Sequence, residues 1–175
     1  LADRGVERKD VWDFLSANIR FGYVIEDMRS MVGACKIGAG RLGEVINRYG
    51  FDSYVEHFNY ILESSARQVR AEVERWPDGT YRGESFMTSD GFDTTKRYRV
   101  AVEITIQGSN ITFDFSESDD QAPGITNMPP ASAKRAVRIA FLMLLAAGGI
   151  SIPTNQGLFE PIETVFREGS MGLTP

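Results

Sequence analysis

Hydrophobic residues recur with the spacing of an α-helix along the first part of the chain. Between residues 25 and 49, apolar or small side chains are separated alternately by three and four residues: Ile25, Met28, Val32, Cys35, Ala39, Leu42, Ile46 and Tyr49. This spacing predicts a helix with one apolar stripe. Four glycines in the stretch each weaken the helix by about 1 kcal/mol relative to alanine, unless they serve the close approach of another backbone. Gly50 follows, where a glycine commonly ends a helix.

A second helical stretch comes next, and both of its ends are marked. Residues Ser53 to Glu56 fit a capping box. Apolar side chains then continue at helical spacing to Trp76, and Pro77 to Gly79 form a turn that ends the helix. Because the connection between the two stretches is short, they predict a long antiparallel helical hairpin over residues 25–76. Residues 1–24 are a lead-in to it.

The period changes from helical to alternating in the middle of the chain. Residues 97–107 and 110–116 each alternate apolar and polar side chains, and Gly108 with Ser109 stands between them. This pattern predicts two strands joined by a two-residue hairpin turn. Its register forms three apolar pairs: Ile106 with Ile111, Ile104 with Phe113 and Val102 with Phe115. A shorter strand at residues 81–87 is expected to join the same small antiparallel sheet.

The last part of the chain contains its most apolar segment. Residues 116–130 are polar and irregular, and two prolines then open a stretch that is apolar nearly all round up to Gly148. A helix of this kind is expected to be buried. Residues 77–175 therefore predict a sheet, a buried helix and loops. The predicted fold class is α+β, with the helical hairpin preceding the sheet.

Composition and charge narrow the class of protein. With 175 residues, 42% hydrophobic and 25% charged, the chain has the composition of a soluble globular domain. A net charge of -5 argues against nucleic-acid binding, and the single Cys35 rules out an internal disulfide. The longest apolar run, Ile139 to Ala147, is far below the roughly 20 residues of a membrane span. The charged N-terminus has no signal peptide, so a cytoplasmic location is expected.

Carboxylates are the first candidates for chemistry. The hairpin register places Glu103 opposite Asp114, and like charges directly opposed in a sheet are unfavourable. Either the two are solvated or joined by the nearby Arg99, or they form a cation-binding or acid/base pair. Asp119 and Asp120 lie in an acidic loop without the spacing of a calcium site. A solvated turn explains that loop.

Several common active sites are not supported by these residues. His57 is the only histidine, and it lies within the second helix, so no typical zinc site is formed by this stretch alone. No serine has a nucleophile-elbow motif around it, and no phosphate-binding loop for ATP is present.

One loop remains, "IPTNQGLFEPIE" at residues 152–163. The amide of Asn155 can donate and accept hydrogen bonds at once, which suits ligand binding. Asn and Gly also favour turns, so a structural role explains the stretch as well.

An ordered series of motifs resembles the hydantoinase B/oxoprolinase family from about residue 18 to 175. The segment "GAGRLGEVINRYG" at 38–50 is similar to that family's G-x-x-R-L-x-E-x-x-x-x-Y-G element, and "PDGTYRGESF" at 77–86 with "DG" at 90–91 is similar to its P-D-G-x-Y and D-G elements. The loop "FDFSESDDQAPGITNMP" resembles the signature D-F-x-G-T-x-x-Q-x-x-G-x-x-N. "IPTNQGLFEPIE" followed by "EGS" resembles I-P-x-N-x-G-x-x-R-P-I and P-E-G-S. Family members are several times longer, so the chain is expected to be an internal portion of a subunit.

The resemblance implies a function and partners. Members of the family belong to ATP-dependent enzymes that open hydantoins, 5-oxoproline or related lactams, and close relatives carboxylate acetone or acetophenone. A hydantoinase A-type partner subunit would carry ATP. The full complex, an expected oligomer, would use ATP and a divalent metal, neither bound by these residues alone. A third alternative is a non-catalytic assembly region.

The resemblance also points to residues. By motif position, the candidates for substrate binding are Asp114, Gln121, Asn127 and Asn155, with no catalytic role assigned. The loops that carry them flank the same apolar helix, so Asn155 is expected near Gln121 and Asn127. Glu160 stands where the family has arginine, and reverses the charge beside Asn155.

Overall fold

A computed structural model describes residues 1–124 and 126–171. The chain folds into two compact units, Leu1–Phe58 and Asn59–Pro175. No helix among the described residues is long and apolar enough to cross a membrane.

The first unit begins with two short elements that the hydrophobic pattern does not predict. Strands β1 (Ala2–Asp3) and β2 (Val6–Glu7) pair antiparallel. Helix α1 (Lys9–Asn18) follows, and its Trp12 is buried, with the indole N–H donating to the Leu1 carbonyl oxygen at 3.1 Å. The predicted lead-in therefore contains ordered strands and a helix, and the Trp12 side chain hydrogen-bonds to the first residue of the chain.

The two long helices are joined by a single residue. Helix α2 (Gly22–Tyr49) contains the whole predicted stripe. Gly50 has φ 86°, a conformation that favours glycine, and helix α3 (Phe51–Val73) begins immediately after it. The predicted capping box is therefore wrong, because residues 53–56 already lie inside α3.

The second unit contains a four-stranded sheet in the order β3-β4-β5-β6. The strands are β3 (Gly79–Met87), β4 (Tyr98–Gln107), β5 (Asn110–Asp114) and β6 (Ile162–Val165). The first three are antiparallel, as predicted, whereas β6 runs parallel to β5 and makes the sheet mixed. The α+β class is confirmed.

The predicted hairpin register is confirmed up to its last pair. Ile106 pairs with Ile111, Ile104 with Phe113 and Glu103 with Asp114. The ladder between β4 and β5 stops there, so the predicted pairing of Val102 with Phe115 is wrong. The reason is that the Phe115 N–H donates to the Val165 carbonyl oxygen at 2.9 Å, which directs the chain toward β6.

Helix α4 (Pro130–Ala147) supplies the centre of the core, but with one face only. Its buried residues recur every four positions: Ala133, Val137, Phe141 and Leu145. Phe141 and Leu145 pack with Val69 and Val73 of α3, Ile111 of β5 and Leu158. The opposite face, which includes Ile139 and Met143, is exposed. The expectation that α4 is buried all round is therefore wrong, although its helical bounds are as predicted.

Candidate functional site

The two loops that flank α4 lie at opposite ends of the sheet. The loop before α4 starts where β5 ends, and the loop after α4 leads to the start of β6. Because β5 and β6 are parallel, with Ile111 beside Ile162, these points are at opposite strand ends. Asp114, Gln121 and Asn127 are thus at one end, and Asn155 belongs to the other. The expected approach of Asn155 to Gln121 and Asn127 is wrong.

Asn127 closes the loop that precedes α4. Its Oδ1 accepts a hydrogen bond from the Ala122 N–H at 2.8 Å, and its Nδ2 donates to the carbonyl oxygens of Ala122 at 2.7 Å and Gly124 at 3.2 Å. Through these hydrogen bonds the Asn127 amide connects the beginning and the end of the loop. Its role here is to shape the loop backbone.

Gln121 and Asp114 are half-buried at the same end of the sheet. The Gln121 N–H donates to the Gly169 carbonyl oxygen at 2.9 Å, so the segment after β6 holds the loop in place. Asp114 accepts the Ser116 N–H at 2.8 Å through Oδ1, which starts the turn out of β5. The Asp114 and Gln121 side chains thus lie on backbone segments that are held in place by these hydrogen bonds.

Glu103, one of the two opposed carboxylates of the hairpin, is paired with an arginine that the sequence does not identify. Arg82 of β3 pairs with Glu103 at 2.7 Å, whereas Arg99 pairs with Glu84 at 2.8 Å. Arg99 therefore does not join Glu103 to Asp114, and that expectation is wrong. Exposed pairs of this kind contribute at most about 1 kcal/mol each. The ion pair with Arg82 therefore accounts for Glu103 without a bound metal ion.

The acidic loop also finds partners within the chain. Asp120 pairs with Arg167 at 2.8 Å, and Asp119 accepts the Arg99 N–H at 2.7 Å. Over residues 1–124 and 126–171, no group of three or more His, Cys, Asp or Glu side chains is arranged to hold a metal ion. The divalent metal implied by the resemblance does not fit these residues, and no chemical step can be assigned to it here.

A buried carboxylate anchors this end of the sheet, and the hydrophobic pattern gave no sign of it. Asp90 is 2% exposed and accepts hydrogen bonds from the N–H groups of Phe92 and Asp93 and from the Tyr98 hydroxyl, at 2.8–2.9 Å. Gly124 presses on the same residue, because a Cβ there would lie 1.8 Å from the Asp90 carbonyl oxygen. The only signal in the sequence is the Asp90-Gly91 turn element.

These contacts shift two pKa values in opposite directions. The Asp93 and Phe92 N–H groups and the Tyr98 hydroxyl lower the pKa of Asp90 to about 2. Burial, together with the hydrogen bond to Asp90, raises the pKa of Tyr98 to about 12. The pair is therefore an ionised carboxylate and a neutral phenol across the physiological range.

Stability is expected to fall at both extremes of pH through this pair. Asp90 is more acidic folded than unfolded, so its contribution is complete above pH about 4 and is lost as pH falls toward 2. Tyr98 is less acidic folded, so its contribution is complete below pH about 10 and is lost as pH rises toward 12. Urea midpoints measured across both windows check this. The acid slope should flatten in Asp90→Asn and the alkaline slope in Tyr98→Phe; unchanged slopes would contradict the assignment.

Asn155 organises the other loop. Its Oδ1 accepts the Gly157 N–H at 2.9 Å and caps the 3-10 turn Gln156–Phe159. Its Nδ2 donates to the Ser65 hydroxyl at 2.8 Å, and that hydroxyl, 1% exposed on α3, donates to the Pro153 carbonyl oxygen at 3.2 Å. The loop is thus tied to a residue 90 positions earlier. This network is a structural tie between the loop and α3.

The charge reversal at Glu160 has a partner within the chain. Arg70 of α3 lies 3.6 Å from the Glu160 carboxylate, and it also donates to the Asn110 side-chain oxygen at 2.8 Å. The carboxylate at position 160 therefore links its loop to α3, while the same arginine links α3 to the start of β5.

An apolar cavity of about 360 Å³ lies between the sheet and the first half of α4, beneath the loop that carries Asn127. Its lining includes Val102, Phe113, Val137 and Thr126, and no charged side chain. The Thr126 hydroxyl oxygen is buried and has no hydrogen-bond partner among the described residues. The volume falls in the lower range of small-molecule sites, and one polar group in an apolar wall can orient a ligand.

Comparison with known proteins places this geometry in context. A homologue from Pseudomonas sp. (strain NS671), named as the B subunit of a D-/L-hydantoinase, is 30% identical over 97% of this chain and 30% of its own length. The beta subunit of caprolactamase from Pseudomonas jessenii is 27% identical over 89% of this chain and 26% of its own length. The chain therefore spans less than a third of these relatives.

The fold has a counterpart among solved structures. The crystal structure of ATP-dependent caprolactamase from Pseudomonas jessenii matches with a TM-score of 0.79, at 24% identity, over 100% of this chain and 30% of that one. The family model for hydantoinase B/oxoprolinase matches residues 1–174. The chain belongs to the hydantoinase B/oxoprolinase family.

Proposed function

We propose that this chain is part of the hydantoinase B-type subunit of an ATP-dependent hydrolase of cyclic amides such as hydantoins, 5-oxoproline or lactams. The observation that carries the proposal is the family match over residues 1–174, joined by the 27% identity to the caprolactamase beta subunit over 89% of the chain. The amide ring is the chemical feature shared by these substrate classes.

In this proposal substrate is contacted at one end of the sheet. Asp114 and Gln121 are half-buried there, and the loop that carries Gln121 also contributes lining residues to the apolar cavity. An apolar wall suits the carbon skeleton of a ring. Asn127 and Asn155 hold the loops that carry them, through hydrogen bonds of their side-chain amides.

The same proposal includes ATP use, a divalent metal and a partner of the hydantoinase A type. The caprolactamase relative is named as one subunit of its enzyme, and the matching crystal structure is of an enzyme described as ATP-dependent. Both descriptions support an ATP-dependent complex of more than one subunit, and in this proposal the partner carries ATP. We place the proposed complex in the cytoplasm.

The test is turnover by the assembled full-length complex. With ATP, we expect opening of at least one of hydantoin, 5-oxoproline or ε-caprolactam, followed by release of the ring-opened acid. Bicarbonate should not be required. Turnover that needs bicarbonate and a ketone would instead identify a carboxylase and overturn the hydrolase proposal.

Two variants in that complex separate substrate contact from loop structure. Gln121→Ala is expected to raise KM or lower kcat in the assembled complex, because its site faces substrate in this proposal. Asn155→Ala is expected to lower the melting temperature and to reduce the free energy of unfolding by about 1–3 kcal/mol, since the Gly157 N–H loses its acceptor and the buried Ser65 hydroxyl loses one of its two hydrogen bonds. Kinetics and thermal unfolding of each variant check this. Full activity in Gln121→Ala, with dissociation of the complex in Phe58→Glu, would favour the assembly-region alternative.

A further inference from the structure

Strand β3 forms one edge of the four-stranded sheet, and that edge is open. It pairs with β4 on one side, and within residues 1–124 and 126–171 no other strand lies beyond it. The strand has nine residues, and all except Met87 are exposed. The N–H and C=O groups along such an edge are a template for another strand.

We propose that β3 pairs antiparallel with β3 of a second copy of this chain, about a two-fold axis through Gly83. Gly83 is the midpoint of the strand Gly79–Met87. Pairing centred there gives every residue of β3 a partner, with Tyr81 opposite Ser85 of the second copy. The contact is isologous, as in most closed dimers, and joins two four-stranded sheets into one continuous sheet.

Charge complementarity argues for a second copy as the occupant. Arg82 and Glu84 project from the same face of β3, since Arg82 pairs with Glu103 at 2.7 Å and Glu84 with Arg99 at 2.8 Å, both on β4. In the proposed dimer Arg82 faces Glu84 of the second copy, and symmetry repeats the pair. Charged side chains of alternating sign then form two rows across the joined strands. Opposite charges that face each other directly stabilise a sheet.

The same two residues disfavour the neighbouring registers. An axis through Arg82 places two arginines directly opposite each other, and an axis through Glu84 does the same with two glutamates. An axis between residues would oppose side chains that point to opposite faces of the joined sheet, which an antiparallel ladder does not allow. Among these registers, the axis through Gly83 pairs opposite charges and keeps each face continuous.

The experiment is a charge exchange on the full chain, with mass measured by light scattering and sedimentation. The unchanged protein is expected to be dimeric at concentrations on the order of 100 µM, because edge pairing is a small interface. Arg82→Glu and Glu84→Arg should each weaken association at least about tenfold. An equimolar mixture of the two variants should dimerise again, because each of the two facing pairs then joins a glutamate to an arginine. Lys96→Glu changes the charge by the same amount as Arg82→Glu, but outside β3, and should leave the dimer intact.

A covalent trap tests the axis itself. A Cβ at position 83 meets nothing closer than a Val102 methyl at 3.6 Å, so Gly83→Cys is tolerated. In a Cys35→Ser background, mild oxidation should give a disulfide-linked dimer through position 83, while Thr80→Cys in that background should not. A monomeric unchanged protein, or a mixture of charge variants that stays monomeric while each retains its native circular dichroism, would overturn the proposal.

Discussion

Replacing Gly157 by alanine is expected to lower the free energy of unfolding by about 3 kcal/mol, the upper range for overpacking in a well-packed site. A Cβ at this position would lie 2.0 Å from the Leu62 carbonyl oxygen of α3. That oxygen is part of a helix backbone and cannot yield without disturbing α3, so the loop must move instead. Its movement would also stretch the Asn155 cap on the Gly157 N–H. Urea unfolding followed by Trp76 fluorescence, in a Trp12→Phe background, measures the loss.

A second glycine provides a matched control for this substitution. Gly40 lies within α2, and a Cβ there would meet nothing within 4 Å. Gly40→Ala should therefore raise stability slightly, by about 0.5–1 kcal/mol, through the higher helix propensity of alanine. An unfolding midpoint for Gly157→Ala equal to that of the unchanged protein would show that the loop does not approach α3 as closely as described.

Replacing Phe141 by alanine is expected to cost about 3–5 kcal/mol. Phe141 is 1% exposed and packs in the cluster that joins α3, α4 and β5. Its ring also lies 6.0 Å from that of Trp76. Truncation removes this packing and leaves a cavity that the surrounding helices and sheet cannot fully close. Differential scanning calorimetry and urea unfolding should both report the loss.

Met143 serves as the control on the same helix. It is 68% exposed, so Met143→Ala should change stability by no more than about 0.5 kcal/mol. Equal losses for the two variants would contradict the division of α4 into a buried and an exposed face.

The elements that the sequence predicts well depend on local patterns. The alternation on either side of Gly108 places Ile106 opposite Ile111, because strand period and turn length together set the register. The bounds of α4 follow from Pro130 and Gly148 for a similarly local reason. The burial of α4 cannot be predicted in this way. An apolar sequence shows which faces of a helix can be buried, but not how many neighbouring elements are present to bury them.

The site residues divide in the same way. Motif position identified Asp114, Gln121, Asn127 and Asn155, but it could not show that Asn155 belongs to the other end of the sheet. That separation arises from the parallel pairing of β5 with β6, between strands that are far apart along the chain. The anchoring of Asp90 was also missed, because its hydroxyl donor and the glycine pressed against it come from other segments.

Periodicity, turn residues and ordered motifs along the chain were enough to predict the class of fold, the long helices, the β-hairpin and the family. Which polar groups hold loops became visible only from contacts between segments that are distant along the chain. The open edge of β3, with Arg82 and Glu84 on one face, likewise became visible only once the strand order was known. The physical reason is that burial, hydrogen bonding and charge pairing are properties of neighbours in space.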